Sequence, residues 1–328
     1  MKIAVLHNPR PADKDIALPD DAFEEYDSNE TIEAICDALA ALGKPEPVVA
    51  DRRLPWRLAE GGFDFAFNIA EGEGRRCREA VAASVCELLG LPFTGSDALT
   101  LAAAQDKAIA RRILSPDIPV ARAILVEGDP DESLLAGLTY PVIAKPNDEG
   151  SSKGIGRGSV CPSMAAAAER CRWLRSRYGC PTLVEEFLPG VEVTVGVRGN
   201  GAARHILGLM EIAASEPGEL FVYGVEAKRD WRRRVRYHVP PRLPAAVLDA
   251  IADYALEAYC LLGCRDIARI DFRLDAAGRP VFLECNPLPG LNPRDSDIII
   301  MSRDACRYED LVRGILLDAG QRVGLFIG

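Results

Sequence analysis

Apolar positions along the 328-residue chain follow two rhythms: short continuous runs, and repeats spaced three or four residues apart. Residues 2–7 are apolar except for Lys2 and the closing His7, the pattern of a central parallel strand covered on both faces. Ile32, Ile35, Cys36, Leu39 and Leu42 then recur at helical spacing until Gly43 stops the helix. Residues 48–50 and 63–69 predict further strands, and 78–89 a helix ahead of Pro92-Phe93-Thr94-Gly95. Strand and helix alternating in this way predict a parallel sheet.

From Ser96 the rhythm changes. A helical stretch over 96–114 runs into a proline-marked loop at 115–119 and a strand over 121–126. Strands over 140–145 and 182–187 flank a glycine-rich loop and a helix over 163–178. A hairpin follows: 192–197 goes out, Gly199-Asn200-Gly201 turns, and 206–210 returns. A helix over 244–262 precedes strands over 267–274 and 280–285. The expected class is α/β, with a parallel sheet at the N-terminus and α+β character in the central and C-terminal parts. Three units are expected, at 1–95, 96–181 and 182–328, and no internal repeat or low-complexity segment is visible.

The length suits two or three cores that fold without staples. With 48% hydrophobic and 27% charged residues, the composition is that of a soluble globular protein. No apolar run approaches the roughly 18 residues of a bilayer span, and no cleavable signal follows the first strand. Ten cysteines without a CxxC pair and only three histidines argue against a zinc site and fit a reduced, cytoplasmic compartment. A formal charge of −10 repels phosphate backbones, so nucleic acid is not an expected partner.

Candidate chemistry concentrates near the end. In Ala268-Arg269-Ile270-Asp271-Phe272-Arg273, alternate residues share a strand face, and Glu284 and Asn286 do so on the returning strand. Asp271, Glu284 and Asn286 offer hard oxygen donors of the kind that hold magnesium against nucleotide phosphates. A surface ladder of ion pairs would produce the same alternation. In Lys145-Pro146-Asn147-Asp148-Glu149-Gly150-Ser151-Ser152-Lys153-Gly154, small residues free backbone N–H groups for phosphate oxygens beside Lys145. The spacing is not that of a P-loop, and a flexible connection is the plainer reading of the loop alone. Lys107, and the acidic-apolar stretch Glu185-Glu186-Phe187-Leu188, can serve a phosphate and an adenine edge respectively, or be an ordinary lysine and strand end.

In register, these pieces resemble the D-alanine:D-alanine ligase family of the ATP-grasp superfamily. The resemblance spans nearly the whole chain, through Asn68 to Gly72, Glu87 to Ser96, Asp106-Lys107, Lys145 to Ser152, Glu185 to Glu192, Glu226-Ala227-Lys228, Ala268 to Phe272 and Glu284 to Gly290. It implies an ATP-grasp fold behind an N-terminal pre-ATP-grasp domain, and a homodimer. It also implies ATP-dependent joining of two amino acids or small peptides through an acyl phosphate, with ADP and phosphate as coproducts. By the same resemblance, Lys107, Lys145 and Lys228 hold phosphates. Ser151 and Ser152 belong to the glycine-rich loop, with Ser151 locking it to a mobile loop. Glu185 to Leu188 bind adenine and Glu192 the ribose. Asp271, Glu284 and Asn286 ligate Mg2+, with Mn2+ also admissible. Arg269 and the Gly290 N–H stabilise the tetrahedral intermediate, and Glu71 and Ser296 contact substrate.

Two departures bear on substrate. The ligases that make D-alanyl-D-alanine usually carry Gly-Gly-x-Ser-x-Glu after the first strand, where this chain has Asn8-Pro9-Arg10-Pro11-Ala12-Asp13-Lys14-Asp15. The tyrosine expected after Lys228 is Arg229. The loop 291–295 is also about one residue longer than the family pattern. Two arginine clusters, 75–78 and 228–236, are either solvated faces or grips for a specialised anionic substrate. A non-ligating ATP-binding module and a kinase that stops at phosphorylation are the other readings; the set Arg269, Asp271, Glu284, Asn286 and Gly290 argues against the first.

Overall fold

A computed structural model describes residues 1–10, 19–21, 24–74, 76–216 and 221–325. Residues 11–15 of the divergent N-terminal motif, and Arg75 of the first arginine cluster, therefore lie outside the described residues.

The N-terminal sheet is parallel, in the order β2 (Lys44–Val49), β1 (Lys2–His7), β3 (Phe65–Asn68). Its central strand is the run read from the sequence, and Ile3 to Leu6 are fully buried because helices cover both faces. Edge strand β2 starts earlier than expected; Pro45 and Pro47 mask its strand character, and an edge position is where proline is tolerated. Helix α1 (Asn29–Leu39) is capped by the Ser28 hydroxyl, which accepts from Thr31 N, and buries Ile32, Ile35 and Leu39. Helix α2 (Leu54–Gly61), not foreseen, carries Pro55 in its first turn, where the missing N–H costs nothing. Helix α3 (Ala80–Leu89) ends at Gly90 in the left-handed conformation.

The expected long helix over 96–114 is two helices, α4 (Ala98–Gln105) and α5 (Lys107–Leu114). Asp106 breaks it: its backbone is extended and its carboxylate accepts from Ile109 N as a new N-cap. Although grouped with the middle unit by sequence, these helices pack on the last sheet. Ala110, Leu114 and Ile118 share a core with Val193, Val195 and Phe272.

The second sheet is antiparallel, in the order β4 (Ala123–Val126), β7 (Thr182–Glu186), β5 (Val142–Pro146), β6 (Val160–Cys161), with α6 (Glu132–Leu135) and α7 (Met164–Tyr178) closing its core. The third is also antiparallel, β10 (Val235–His238), β9 (His205–Ala214), β8 (Glu192–Arg198), β11 (Ile267–Leu274), β12 (Pro280–Asn286). Short helices α8 (Val225–Arg229) and α9 (Trp231–Arg234) precede β10, while α10 (Ala245–Leu261) covers one face. Helices α11 (Asp297–Ser302) and α12 (Tyr308–Arg322), absent from the sequence reading, join the third sheet to the first through a shared core. All ten cysteines are free thiols. No helix among the described residues is long and apolar enough to cross a membrane.

Candidate active site

Strand β11 sets the geometry. Arg269, Asp271 and Arg273 alternate onto one face, and all three line a pocket between the second and third sheets. Opposite them, β12 pairs Asn286 with Arg269 and Glu284 with Asp271, after which the register shifts between Asp271 and Phe272. That bulge turns two consecutive residues, Leu283 and Glu284, toward the same pocket. Lys145 reaches it from the end of β5, and Lys228 from α8.

Arg269 is the electrostatic hub. It lies 2.9 Å from Asp271, 3.7 Å from Glu284 and 3.4 Å from Asp297, the last a pocket residue the sequence reading did not name. Three carboxylates around one guanidinium leave an excess of negative charge. Burial pushes the Asp271 carboxyl up; Arg269 opposes that rise and neighbouring Glu284 adds to it. Burial acts the same way on Glu284, but Lys107, Lys145, Arg269 and Lys228 prevail and hold it at about 2. Lys107 stands 3.6 Å from Glu284 and donates to the Glu149 carbonyl at 2.5 Å. The candidate phosphate lysines thus meet the candidate metal carboxylates on one wall.

The oxygen-only donor set suits a hard divalent cation: Asp271 and Glu284 face each other with surplus negative charge, and among the described residues no cysteine or histidine lines the pocket. Asn286 uses its carbonyl oxygen to accept from Leu288 N, bracing the turn after β12. Among the described residues no cluster of three His, Cys, Asp or Glu side chains forms a metal site, so this set needs the amide of Asn286 to reach three.

On the nucleotide side, Glu185, Glu186, Phe187, Leu188 and Glu192 all line the pocket. The Glu185 carboxylate is taken up by Lys145 at 2.6 Å and Arg111 at 2.7 Å. Glu186 accepts from Thr139 N. Burial lifts Glu192 to about 7 despite Arg273. Arg273 also donates to the Gly190 and Phe221 carbonyls and stacks 4.9 Å over Phe187, so it braces this end; strand alternation alone pointed to it.

The glycine-rich loop puts Ser151 and Ser152 at positive φ, 47° and 60°. Ser152, rather than Ser151, ties the loop to the segment before α8, through the Tyr223 carbonyl at 2.8 Å. Gly290 and Ser296 are neighbours, since a Cβ on the glycine would stand 3.2 Å from the serine hydroxyl. Ser296 also accepts from Asn292 N, which orders the longer loop.

Glu71 sits with a buried charge cluster: burial, then Glu79, Glu25 and Asp27, push its carboxyl well up. Here Arg78 is no solvated arginine. It is 4% exposed, holds both Glu25 oxygens at 2.9 Å and donates to the Asp148 carbonyl. Its neighbour Arg76 is exposed and pairs with Asp106, and Arg232, Arg233 and Arg234 of α9 are likewise exposed. Glu25 and Asp297 carried no sequence signal, because their partners are brought in only by the tertiary fold.

These buried acids make a stability prediction. Burial raises Glu79, Asp27 and Glu192 each to about 7, so the folded chain keeps protons that the unfolded chain has already lost. Stability then falls as pH rises from the ordinary carboxylate range through about 7. His7, lowered by burial, acts in the opposite sense but is a single group against several raised carboxyls. The unfolding midpoint of the ligand-free protein is expected to drop between about pH 5 and about pH 8, and Glu79→Gln to flatten that slope. A midpoint that climbs over this window, unmoved by the substitution, contradicts the assignment.

The family described as D-ala D-ala ligase C-terminus matches residues 121–317. The D-alanine–D-alanine ligase of Bordetella petrii is 30% identical over 326 residues, covering 98% of this chain and 93% of that protein. In fold, the chain matches the D-alanine–D-alanine ligase of Bacillus anthracis complexed with ATP, at a TM-score of 0.74 with 19% identity and 98% of each chain covered. The VanG D-Ala:D-Ser ligase of Enterococcus faecalis matches at a TM-score of 0.69 with 20% identity, over 97% of this chain and 99% of that one. The α/β architecture with its N-terminal parallel sheet is the ATP-grasp fold, and the chain belongs to the D-alanine–D-alanine ligase family, as an ATP-dependent ligase that forms a carbon–nitrogen bond.

Proposed function

We propose that the protein joins D-alanine to a second small D-amino acid through an acyl phosphate, with Arg269 as the donor to the reacting acyl oxygen. The observation that carries this reading is the single wall where Lys107, Glu284, Arg269 and Asp271 meet. Choice of substrate class rests on the relatives, which are named for D-alanine.

A carboxylate is a poor electrophile, so the γ-phosphoryl group of ATP must first reach it. Positioning and charge neutralisation dominate such a transfer. Lys107, Lys145 and Lys228 hold the phosphates with the backbone N–H groups around Ser151 and Ser152. The backbone of 185–188 takes the adenine edge, Phe187 and Leu188 cover its face, and Glu192 meets the ribose. Asp271, Glu284 and Asn286 hold magnesium, with manganese admissible; bound there, the cation would neutralise phosphate charge. Negative charge that grows on the acyl oxygen as the amine attacks falls to Arg269 and the Gly290 N–H. Ser296 takes the carboxylate of the second substrate, and Glu71 lies on the first-substrate side.

The units are 1–95, 96–181 and 182–328, and the pocket is lined by residues of the second and third. A cytoplasmic setting suits ten free thiols. We place a homodimer contact on α2 to α4, where Trp56, Val81, Leu88 and Leu99 are exposed at 64%, 52%, 80% and 79%. Phosphate release from ATP, measured with paired D- and L-amino acids and mass spectrometry of products, tests the reaction. D-alanine with a second D-amino acid should release ADP and phosphate and give a dipeptide. Release that never requires the second amine, or that occurs with L-amino acids alone, overturns the reading.

A further inference from the structure

Between β1 and α1, four acidic side chains reach in two directions. Glu25 faces the glycine-rich loop, where Gly150 N donates to it at 2.8 Å, Lys153 approaches to 2.7 Å and Arg78 grips both oxygens. Although burial opposes its charge, Arg78 and Lys153 hold this carboxyl below its usual range. Asp21 accepts from Gly154 N and from the Tyr178 hydroxyl, both at 2.9 Å. The segment is thereby rooted on the glycine-rich loop and the end of α7.

Its other side holds Arg229. Arg229 donates from Nη1 to Asp20 Oδ2 at 2.8 Å, from Nη2 to the Asp20 carbonyl at 2.9 Å, and from Nε and Nη2 to Glu24 Oε1 at 3.0 and 2.7 Å. All three guanidinium nitrogens are engaged, a fork a lysine or tyrosine cannot reproduce. Arg229 ends α8, and the residue before it is Lys228, which lines the nucleotide pocket. The start of α8 is fixed by Val225 N on the Ile155 carbonyl, and the segment before it by the Ser152 hydroxyl on Tyr223. Without the acidic clasp, the Lys228 end of this five-residue helix would lack its ionic anchor.

We infer that Arg229 is a positioning residue: clasped by Asp20 and Glu24, it fixes α8 so that Lys228 faces the nucleotide phosphates. The arginine that stands where the family pattern has tyrosine after Lys228 thus finds acidic partners between β1 and α1. The inference rests on the proposed role of Lys228. The clasp is half-exposed, so its direct contribution to stability is small and it acts through geometry.

Affinity for ATP, measured by calorimetric titration with magnesium present, tests this without depending on turnover. Arg229→Gln is expected to weaken ATP binding about tenfold, and Asp20→Asn with Glu24→Gln, which removes the charge of both partners, to weaken it to a similar extent. In a Lys228→Ala background, Arg229→Gln should have almost no further effect, because the residue acts through that lysine. Unchanged affinity in Arg229→Gln, or losses that simply add in the double variant, overturns the clasp. Should the wild-type protein bind ATP yet join no amino acids, the ligase reading fails while this test still stands.

Discussion

Arg269→Met is expected to lower kcat by about 10²–10³-fold with little change in KM for ATP. The reason lies in when its interaction is made. Arg269 stands among Asp271, Glu284 and Asp297 before any substrate arrives, and the role proposed for it begins only as charge builds on the acyl oxygen. A donor used chiefly in the transition state affects turnover rather than ground-state binding. Removing the guanidinium also leaves three carboxylates facing one another, so the variant is to be studied with magnesium bound and its unfolding midpoint checked. Arg269→Lys keeps the charge but loses the planar fork, and should fall between wild type and Met. A folded Arg269→Met protein with normal kcat would falsify the assignment.

Glu284→Gln is expected to raise the magnesium concentration for half-maximal activity by about tenfold or more. Held at about 2 by the surrounding lysines and Arg269, Glu284 is anionic at any working pH, and the amide keeps its shape while removing that charge. The change relieves its repulsion with Asp271 but gives up the attraction of Lys107, Lys145, Arg269 and Lys228, so the unfolding midpoint is to be checked alongside. The measurement separates two readings of β11 and β12 that the alternating pattern leaves open, metal ligands or a ladder of ion pairs. An unmoved magnesium requirement favours the ladder.

What could be read from sequence was what depends on local spacing. Strand alternation placed Arg269, Asp271 and Arg273 on one face, and the Gly199 to Gly201 turn fixed the hairpin that carries Glu192. Helices α11 and α12 went unread although α12 buries Leu311, Val312, Ile315 and Leu316 at helical spacing. The bulge at Asp271 is invisible in a pattern of period two, so Leu283 gave no hint of facing the pocket. The Asp106 break was legible, since an aspartate three residues before Ile109 is an N-cap signal, but apolar periodicity on both sides concealed it. Glu25 could not be found at all: its partners Gly150 and Lys153 are more than 120 residues away.

The packing of α5 on the third sheet has a consequence for how the chain folds during synthesis. Ala110, Leu114 and Ile118 wait for partners as distant as Phe282, so this core closes only when the chain is nearly complete. The sheet from Ala123 to Glu186 draws only on its own stretch and can assemble while the rest is still emerging. The stretch 123–186 can thus be in place before the strands that bear Asp271 and Glu284 have emerged.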